Sequence, residues 1–454
     1  MSFFASNLSP CLAVYCLVFS GVIVVSNSSY GEILSNTTSE EFERLAKIIN
    51  SASNSTWKAD LNFIKTYPDL LSSMKLGLSL TPFQEGEVPH EFRMGNDVGD
   101  DYPTIPTPTN STDSPVTSTT EPPVKSTTEP PVTPETDGLP DEFDLRKQYP
   151  QCTQIGHVKF QSNCGSCWAI ASSSVLADRM CIATNGALNF PLSADHVLTC
   201  CPYCTTPGDV CGGGNPLAAW DYFKRRGIPT GGDYASHQGC KPYRIPPCNY
   251  PGYSRCKDSS TPQIKCLGNK CSNQFFRTAF EDNLYLVRSF YRIQTSDEDL
   301  TDKERLKWQE TKIKWAIYKQ GSVVVAFQTH QDFMLYEKGI YQYVAGQATE
   351  GHAVKLIGWG SENGVPYWLC VNSWGKLWGE GGLFRIRRGV DESGIETMQV
   401  TAGVFDRDRS SDLEEFVYDH EHTPAPTPNH SSSSRIQGLA TIIFACLMIF
   451  ACKV

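Results

Sequence analysis

The stretch QSNCGSCWAI, residues 161–170, sets two cysteines three positions apart just ahead of an apolar run. Three chemistries use such a pair. A dithiol redox couple would want a small βαβ setting around it. A zinc site would want a second pair, and CPYC at 201–204 could supply one. A cysteine nucleophile needs only one of the two, with a distant histidine and a group that orients the histidine. The run that follows, CWAIASSSVLADRMCIA, places Trp168, Ala171, Val175, Leu176 and Arg179 at helical spacing.

The chain around this stretch has 454 residues, room for one large domain or two ordinary ones plus extensions. Its net charge of −10 argues against a basic nucleic-acid surface. Of the 18 cysteines, Cys11, Cys16, Cys446 and Cys452 sit in the two apolar ends, and the rest fall between Cys152 and Cys370. The N-terminal run CLAVYCLVFSGVIVV has the length of a secretory signal core, although no Lys or Arg precedes it. Sequons at Asn36, Asn54, Asn110 and Asn429 agree with secretion, which would permit disulfides.

Further along, SEEFERLAKIINSA reads as an amphipathic helix capped by Ser39, with Phe42, Leu45 and Ile49 on one face. Between 102 and 138 the composition turns to Pro, Ser and Thr, and STTEPPV occurs at 118–124 and again at 126–132. Such a segment cannot bury a core and is expected to be an extended spacer. Residues 139–405 hold most of the Trp, Tyr and Gly. A helical first half is followed by the strand-like pieces SVVVAFQ, HAVKLIGWG, PYWLCVNSW and GLFRIRR, which predicts a two-lobed α+β protein. After a polar tail, 406–437, the last 17 residues include an apolar run, GLATIIFACLMIFAC, followed only by KV. That run is short for a membrane span and fits a removable lipid-anchor signal.

CGSCW, EGHAVKLIGWG with His352 and YWLCVNSWG with Asn372 resemble the nucleophile, histidine and asparagine motifs of papain-family cysteine proteases. His352 and Asn372 lie 185 (352 − 167) and 205 (372 − 167) residues beyond Cys167, more than the usual span of about 130–150, so inserted loops are expected. LPDEFDLRKQYPQC, LTCCPYC, CGGGNP and HQGCKPYRIPPC follow the order found in the cathepsin B type, and WKADLNF loosely resembles its propeptide. The Pro/Ser/Thr insert and the apolar tail are not part of that pattern.

The resemblance implies a papain-like fold, with a helical lobe carrying the nucleophile and a β-barrel-like lobe carrying His352 and Asn372. Together with the residue patterns above it gives a signal at 1–26, a propeptide at 27–101, the linker at 102–138, which the family pattern lacks, and a peptidase domain at 139–405. Cys167 would be the nucleophile, His352 its partner, Asn372 the orienter of the imidazole, and Gln161 an oxyanion donor. Gly213 and Gly214 would bind substrate backbone, Trp374 would shield the His–Asn pair, and Met398 or Gln399 would floor the pocket for the second residue before the cleaved bond. The implied disulfides are Cys152–Cys181, Cys164–Cys211, Cys200–Cys266, Cys201–Cys204, Cys240–Cys271 and Cys248–Cys256, which leaves Cys167 and Cys370 free. No cofactor is implied. Protein substrates and cystatin-type inhibitors are, on a monomer in the secretory pathway, extracellular or lysosomal, with membrane attachment through the C-terminal segment.

Two departures matter. The loop CNYPGYSRC, 248–256, lacks the two histidines with which cathepsin B enzymes take a substrate's C-terminal carboxylate. The acids expected at 160 and 377 are Phe160 and Leu377. Endopeptidase activity is therefore expected to exceed dipeptide removal, and the uncharged pocket floor to favour apolar residues over Arg. The alternatives are a non-catalytic papain-like binding protein and a surface-displayed interaction protein.

Overall fold

The computed structural model describes residues 37–67, 76–78, 138–205, 209–256, 264–295 and 300–407. The expected signal, nearly all of the linker, nearly all of the polar tail and the apolar C-terminal segment lie outside these residues. Among the described residues no helix is long and apolar enough to cross a membrane.

The described residues open with helix α1 (Ser39–Ser51), whose cap is Thr38 instead of Ser39. The Thr38 hydroxyl accepts the Glu41 N–H at 3.2 Å, and the Glu41 carboxylate accepts the Thr38 N–H at 3.2 Å. This reciprocal pair satisfies two otherwise unpaired amides and moves the start one residue back. Phe42, Leu45, Ala46 and Ile49 form its buried face. Strand β1 (Trp57–Ala59) and helix α2 (Leu61–Thr66), capped by Asp60, complete the N-terminal segment.

The main domain begins with β2 (Phe143–Asp144) and α3 (Leu145–Gln148), followed by α4 (Cys167–Ala183), α5 (Ala194–Cys200) and α6 (Pro216–Arg226). The second half holds β3 (Val287–Arg292), α7 (Asp302–Gln320), β4 (Val323–His330), β5 (Tyr336–Tyr341), β6 (Ala348–Glu362), β7 (Val365–Val371), β8 (Leu383–Arg387) and β9 (Gln399–Phe405). The four strand-like pieces of the sequence become β4, β6, β7 and β8. The sheet order is β1-β5-β8-β7-β6-β4-β9-β3, with β2 paired to β6. β5 and β8 run parallel; β6 pairs antiparallel with β4 on one side and β7 on the other.

α4 is buried without interruption from Cys167 to Cys181, so it has no solvent face. That suits its Ala- and Ser-rich sequence, which lets neighbours approach on every side. Its two charged residues are compensated internally. Asp178 accepts from Lys355 on β6 (2.9 Å) and from the Ser322 hydroxyl (2.7 Å). Arg179 donates to the carbonyls of Ser322 and Gly403 and to the Gln320 side chain.

The structure contains the disulfides Cys152–Cys181, Cys164–Cys211, Cys200–Cys266, Cys201–Cys204, Cys240–Cys271 and Cys248–Cys256. Neither CGSC nor CPYC therefore keeps two thiols for a metal or a redox cycle. Among the described residues Cys167 and Cys370 remain as thiols, both buried.

Candidate active site

Cys167 is the first residue of α4, directly after Ser166. The unpaired amides and dipole at a helix start favour negative charge there. The N–H groups of Trp168 and Ala353 and, from the N-terminal segment, of Gly77 point at the sulfur. Ala353 follows His352 on β6, so the pairing of β6 with β4 and β7 brings His352 to the start of α4 although 185 residues separate them in sequence.

His352 Nε2 bonds to Asn372 Oδ1 at 2.8 Å. Asn372 lies just past β7, the strand next to β6. Because that amide oxygen can only accept, Nε2 carries the proton, and Nδ1 is left as the acceptor nitrogen. Nδ1 is buried and makes no hydrogen bond. The Trp374 indole stacks on the imidazole, with ring centres 4.8 Å apart, and its packing against Phe333 and Trp378 fixes the pair from behind. Trp374 is itself buried, so its contact is with His352.

Gln161 is held at both ends of its amide. Nε2 donates to the Cys164 carbonyl at 2.8 Å, and Oε1 accepts from the Ser373 hydroxyl at 2.6 Å. Its backbone N–H donates to the Ser373 carbonyl at 2.9 Å. Gln161, Cys167, His352, Asn372 and Trp374 thus converge on one place.

The cleft beside them is occupied. Residues 76–78 of the N-terminal segment thread between the two lobes. The Gly214 N–H donates to the Gly77 carbonyl, and the Leu78 N–H donates to the Gly351 carbonyl, each at 3.1 Å. A Cβ on Gly77 would lie 2.3 Å from the Gly165 backbone, so only glycine permits this approach. Gly213, at φ 103°, lies against the same segment. Burial beneath it pushes the Cys167 thiol up to about 12 and the His352 imidazole down to about 4, with the Asn372 hydrogen bond only partly opposing the latter. Both shifts favour the neutral forms.

Of the two positions left open for the pocket floor, Gln399 is the first residue of β9. It is buried, pairs with Ala326 on β4, and its Nε2 donates at 3.2 Å to the side chain of Asn215, the residue after Gly214. Met398 instead folds over Gly394 in the turn before β9. Met398 lies in that turn, just ahead of β9, so of the two positions only Gln399 belongs to the strand paired with β4.

The profile of the papain family of cysteine proteases matches residues 139–403. The chain belongs to this family. The protease is 40% identical over 278 residues to cathepsin B-like cysteine proteinase 5 of Caenorhabditis elegans, a match covering 60% of this chain and 77% of the relative. It is also 40% identical over 264 residues to cathepsin B-like cysteine proteinase 4 of the same organism, covering 57% and 74%. Among solved structures it resembles procathepsin B S9 from Trypanosoma congolense, with a TM-score of 0.53 and 26% identity, over 82% of this chain and 98% of that one. A papain-family protease hydrolyses peptide bonds, and protein substrates follow.

Sequence reasoning missed three contributors to the site of this protease. Leu76, Gly77 and Leu78 left only a glycine between leucines as a signal. The buried Glu396 accepts from Trp368 Nε1 at 2.9 Å and from the Gly389 and Asp391 N–H groups, and so braces the turn that precedes β9. Tyr250, in the 248–256 loop, packs on Phe160 with ring centres 4.9 Å apart.

Proposed function

We propose that the chain is the zymogen of a secreted or lysosomal cysteine endopeptidase, with Cys167 as nucleophile and residues 27–138 removed on activation. One observation carries the reading. A segment from the N-terminal region lies over Cys167, pairs with Gly214 and Gly351 as an extended peptide would, and buries a His352–Asn372 pair beside the thiol.

Withdrawal of that segment returns water to the thiol and imidazole. The proton then passes from Cys167 to His352 Nδ1, giving a thiolate and an imidazolium. The thiolate sulfur bonds to the substrate carbonyl carbon. The carbonyl oxygen takes the negative charge and is stabilised by the Cys167 N–H and the Gln161 side-chain amide. Collapse expels the amine, which takes the Nδ1 proton, and leaves a thioester on Cys167. Water, giving a proton back to Nδ1, attacks the thioester, and the acid leaves with the thiolate restored. Asn372 holds the ring in position throughout, as the third member of a triad does.

Absence of the two loop histidines supports endopeptidase action over dipeptide removal. The neutral Gln399 beside Ala326 supports an apolar residue two positions before the cleaved bond. The test is an internally quenched peptide with a blocked C-terminus, offered to the processed enzyme. Turnover with Leu or Phe at that position should exceed turnover with Arg and vanish in Cys167→Ala. Retained cleavage in Cys167→Ala, or a preference for Arg, would overturn the corresponding part of the proposal.

A further inference from the structure

In cathepsin B enzymes, as the sequence resemblance implies, acids at positions 160 and 377 pin the disulfide-closed loop. Phe160 and Leu377 stand there in this chain, so those positions cannot supply ion pairs to hold 248–256. The structure nevertheless fixes the loop, and at the same two places. The Tyr250 ring packs against Phe160, with ring centres 4.9 Å apart, and the backbone N–H groups of Lys376 and Leu377 act on its hydroxyl, partly opposing the upward pull of burial on its pKa. Gly375 makes room for the ring. A Cβ there would lie 2.8 Å from Tyr250 Cε2, and its φ of 76° disfavours other residues. At its base the loop is tied to the segment carrying Gln161, because the Ser162 hydroxyl donates to the Pro246 carbonyl at 2.8 Å.

These contacts join the loop to residues 160–162 and 375–377, all within 139–405. They also lie on one side of Cys167. The acyl side of a bound peptide belongs to Gly213 and Gly214, so the leaving-group side runs toward Trp374, Gly375 and the loop. Tyr250 and Tyr253 of the loop line a cavity of about 270 Å³ together with Phe160, Tyr243, Gly375 and Lys376.

We propose that Tyr250 replaces the missing ion pairs as the positioning residue of the 248–256 loop, and so sets how far a substrate extends on the leaving-group side. The proposal deepens the endopeptidase reading and rests on it. Truncating the ring should free the loop and admit longer peptides, with the chemistry at Cys167 unchanged.

The test compares two substrates on processed enzyme from the full-length chain. One is a short peptidyl aryl amide with nothing beyond the cleaved bond; the other is a quenched peptide with four residues beyond it. Tyr250→Ala should raise kcat/KM on the long peptide by on the order of tenfold and leave the aryl amide within about twofold. Tyr250→Phe keeps the ring but loses the hydroxyl on which the two amides act, and should fall between; it also serves if the alanine variant does not fold. Amide hydrogen exchange across 248–256 should quicken in both variants. An unchanged ratio of long to short turnover, an equal loss on both substrates, or unaltered exchange in the loop would overturn the proposal. Failure of wild-type enzyme to turn over the aryl amide would instead refute the peptidase reading, while the exchange measurement would still report on the clamp.

Discussion

At the scale of single residues, the site depends on one hydrogen bond that fixes which histidine nitrogen faces the thiol. Asn372 Oδ1 can only accept, so His352 keeps its proton on Nε2 and leaves Nδ1 as the basic nitrogen, the one the proposed mechanism uses toward Cys167. Asn372→Ala removes that choice and leaves a buried imidazole N–H without a partner. The expected result is a fall in kcat of about two orders of magnitude with KM nearly unchanged, because the proposed hold on substrate backbone is elsewhere, at Gly214. Steady-state kinetics on a short peptide amide checks this, and a rise in KM at constant kcat would count against the orienting role. The residues that meet here were legible because each sits in a motif whose order the family resemblance supplies. Met398 and Gln399 were not separable in the same way. A one-residue slip reverses every side chain of a strand, and only the register of β9 on β4 shows that Gln399 points at Asn215.

Between elements, the helix that starts with Cys167 and the strand that carries His352 are tied by a second, purely structural contact. Asp178 lies 11 residues (178 − 167) along α4 and Lys355 three residues (355 − 352) along β6, and they pair at 2.9 Å with both side chains buried. Burial pushes the Asp178 carboxyl up and the Lys355 amine down, while their mutual attraction works against both shifts. Removing one partner strands the other. Asp178→Ala should therefore lower unfolding stability by about 3–5 kcal/mol, whereas Asp178→Leu with Lys355→Met should recover most of it. Denaturant titration of disulfide-intact protein distinguishes these outcomes, and equal losses in the single and double variants would show that packing rather than charge is at stake. The helix after Cys167 and the four later strands were legible from periodicity, but this pairing was not. Asp178 and Lys355 each look like surface residues until the all-round burial of α4 is known. The cap of α1 was missed although its signal was in the sequence: Glu41 stands three residues after Thr38, the capping-box spacing, whereas Phe42 stands three after Ser39.

Over the whole molecule, latency is a matter of solvation. While residues 76–78 cover the cleft, burial holds the thiol at about 12 and the imidazole at about 4. A raised thiol pKa means less thiolate at any given pH, by tenfold per unit, so at pH 7 roughly one thiol in 10⁵ is ionised. A lowered imidazole pKa means that no imidazolium is present to stabilise that thiolate. Both signs point the same way, toward a chemically quiet pair. Iodoacetamide labelling mapped to Cys167 should accordingly be slow in the full-length protein and rise only at strongly alkaline pH, whereas the processed enzyme should label rapidly at and below pH 7. The cover depends on backbone approaching backbone at Gly77, where even a methyl group would come within 2.3 Å of Gly165. Gly77→Val cannot keep the hydrogen bond to Gly214 without moving one chain away from the other, so it should bring the Cys167 labelling profile of the full-length protein toward that of the processed enzyme. If the variant labels at pH 7 as slowly as the wild type, the thiol is quieted by its own domain, and the segment at 76–78 only blocks substrate.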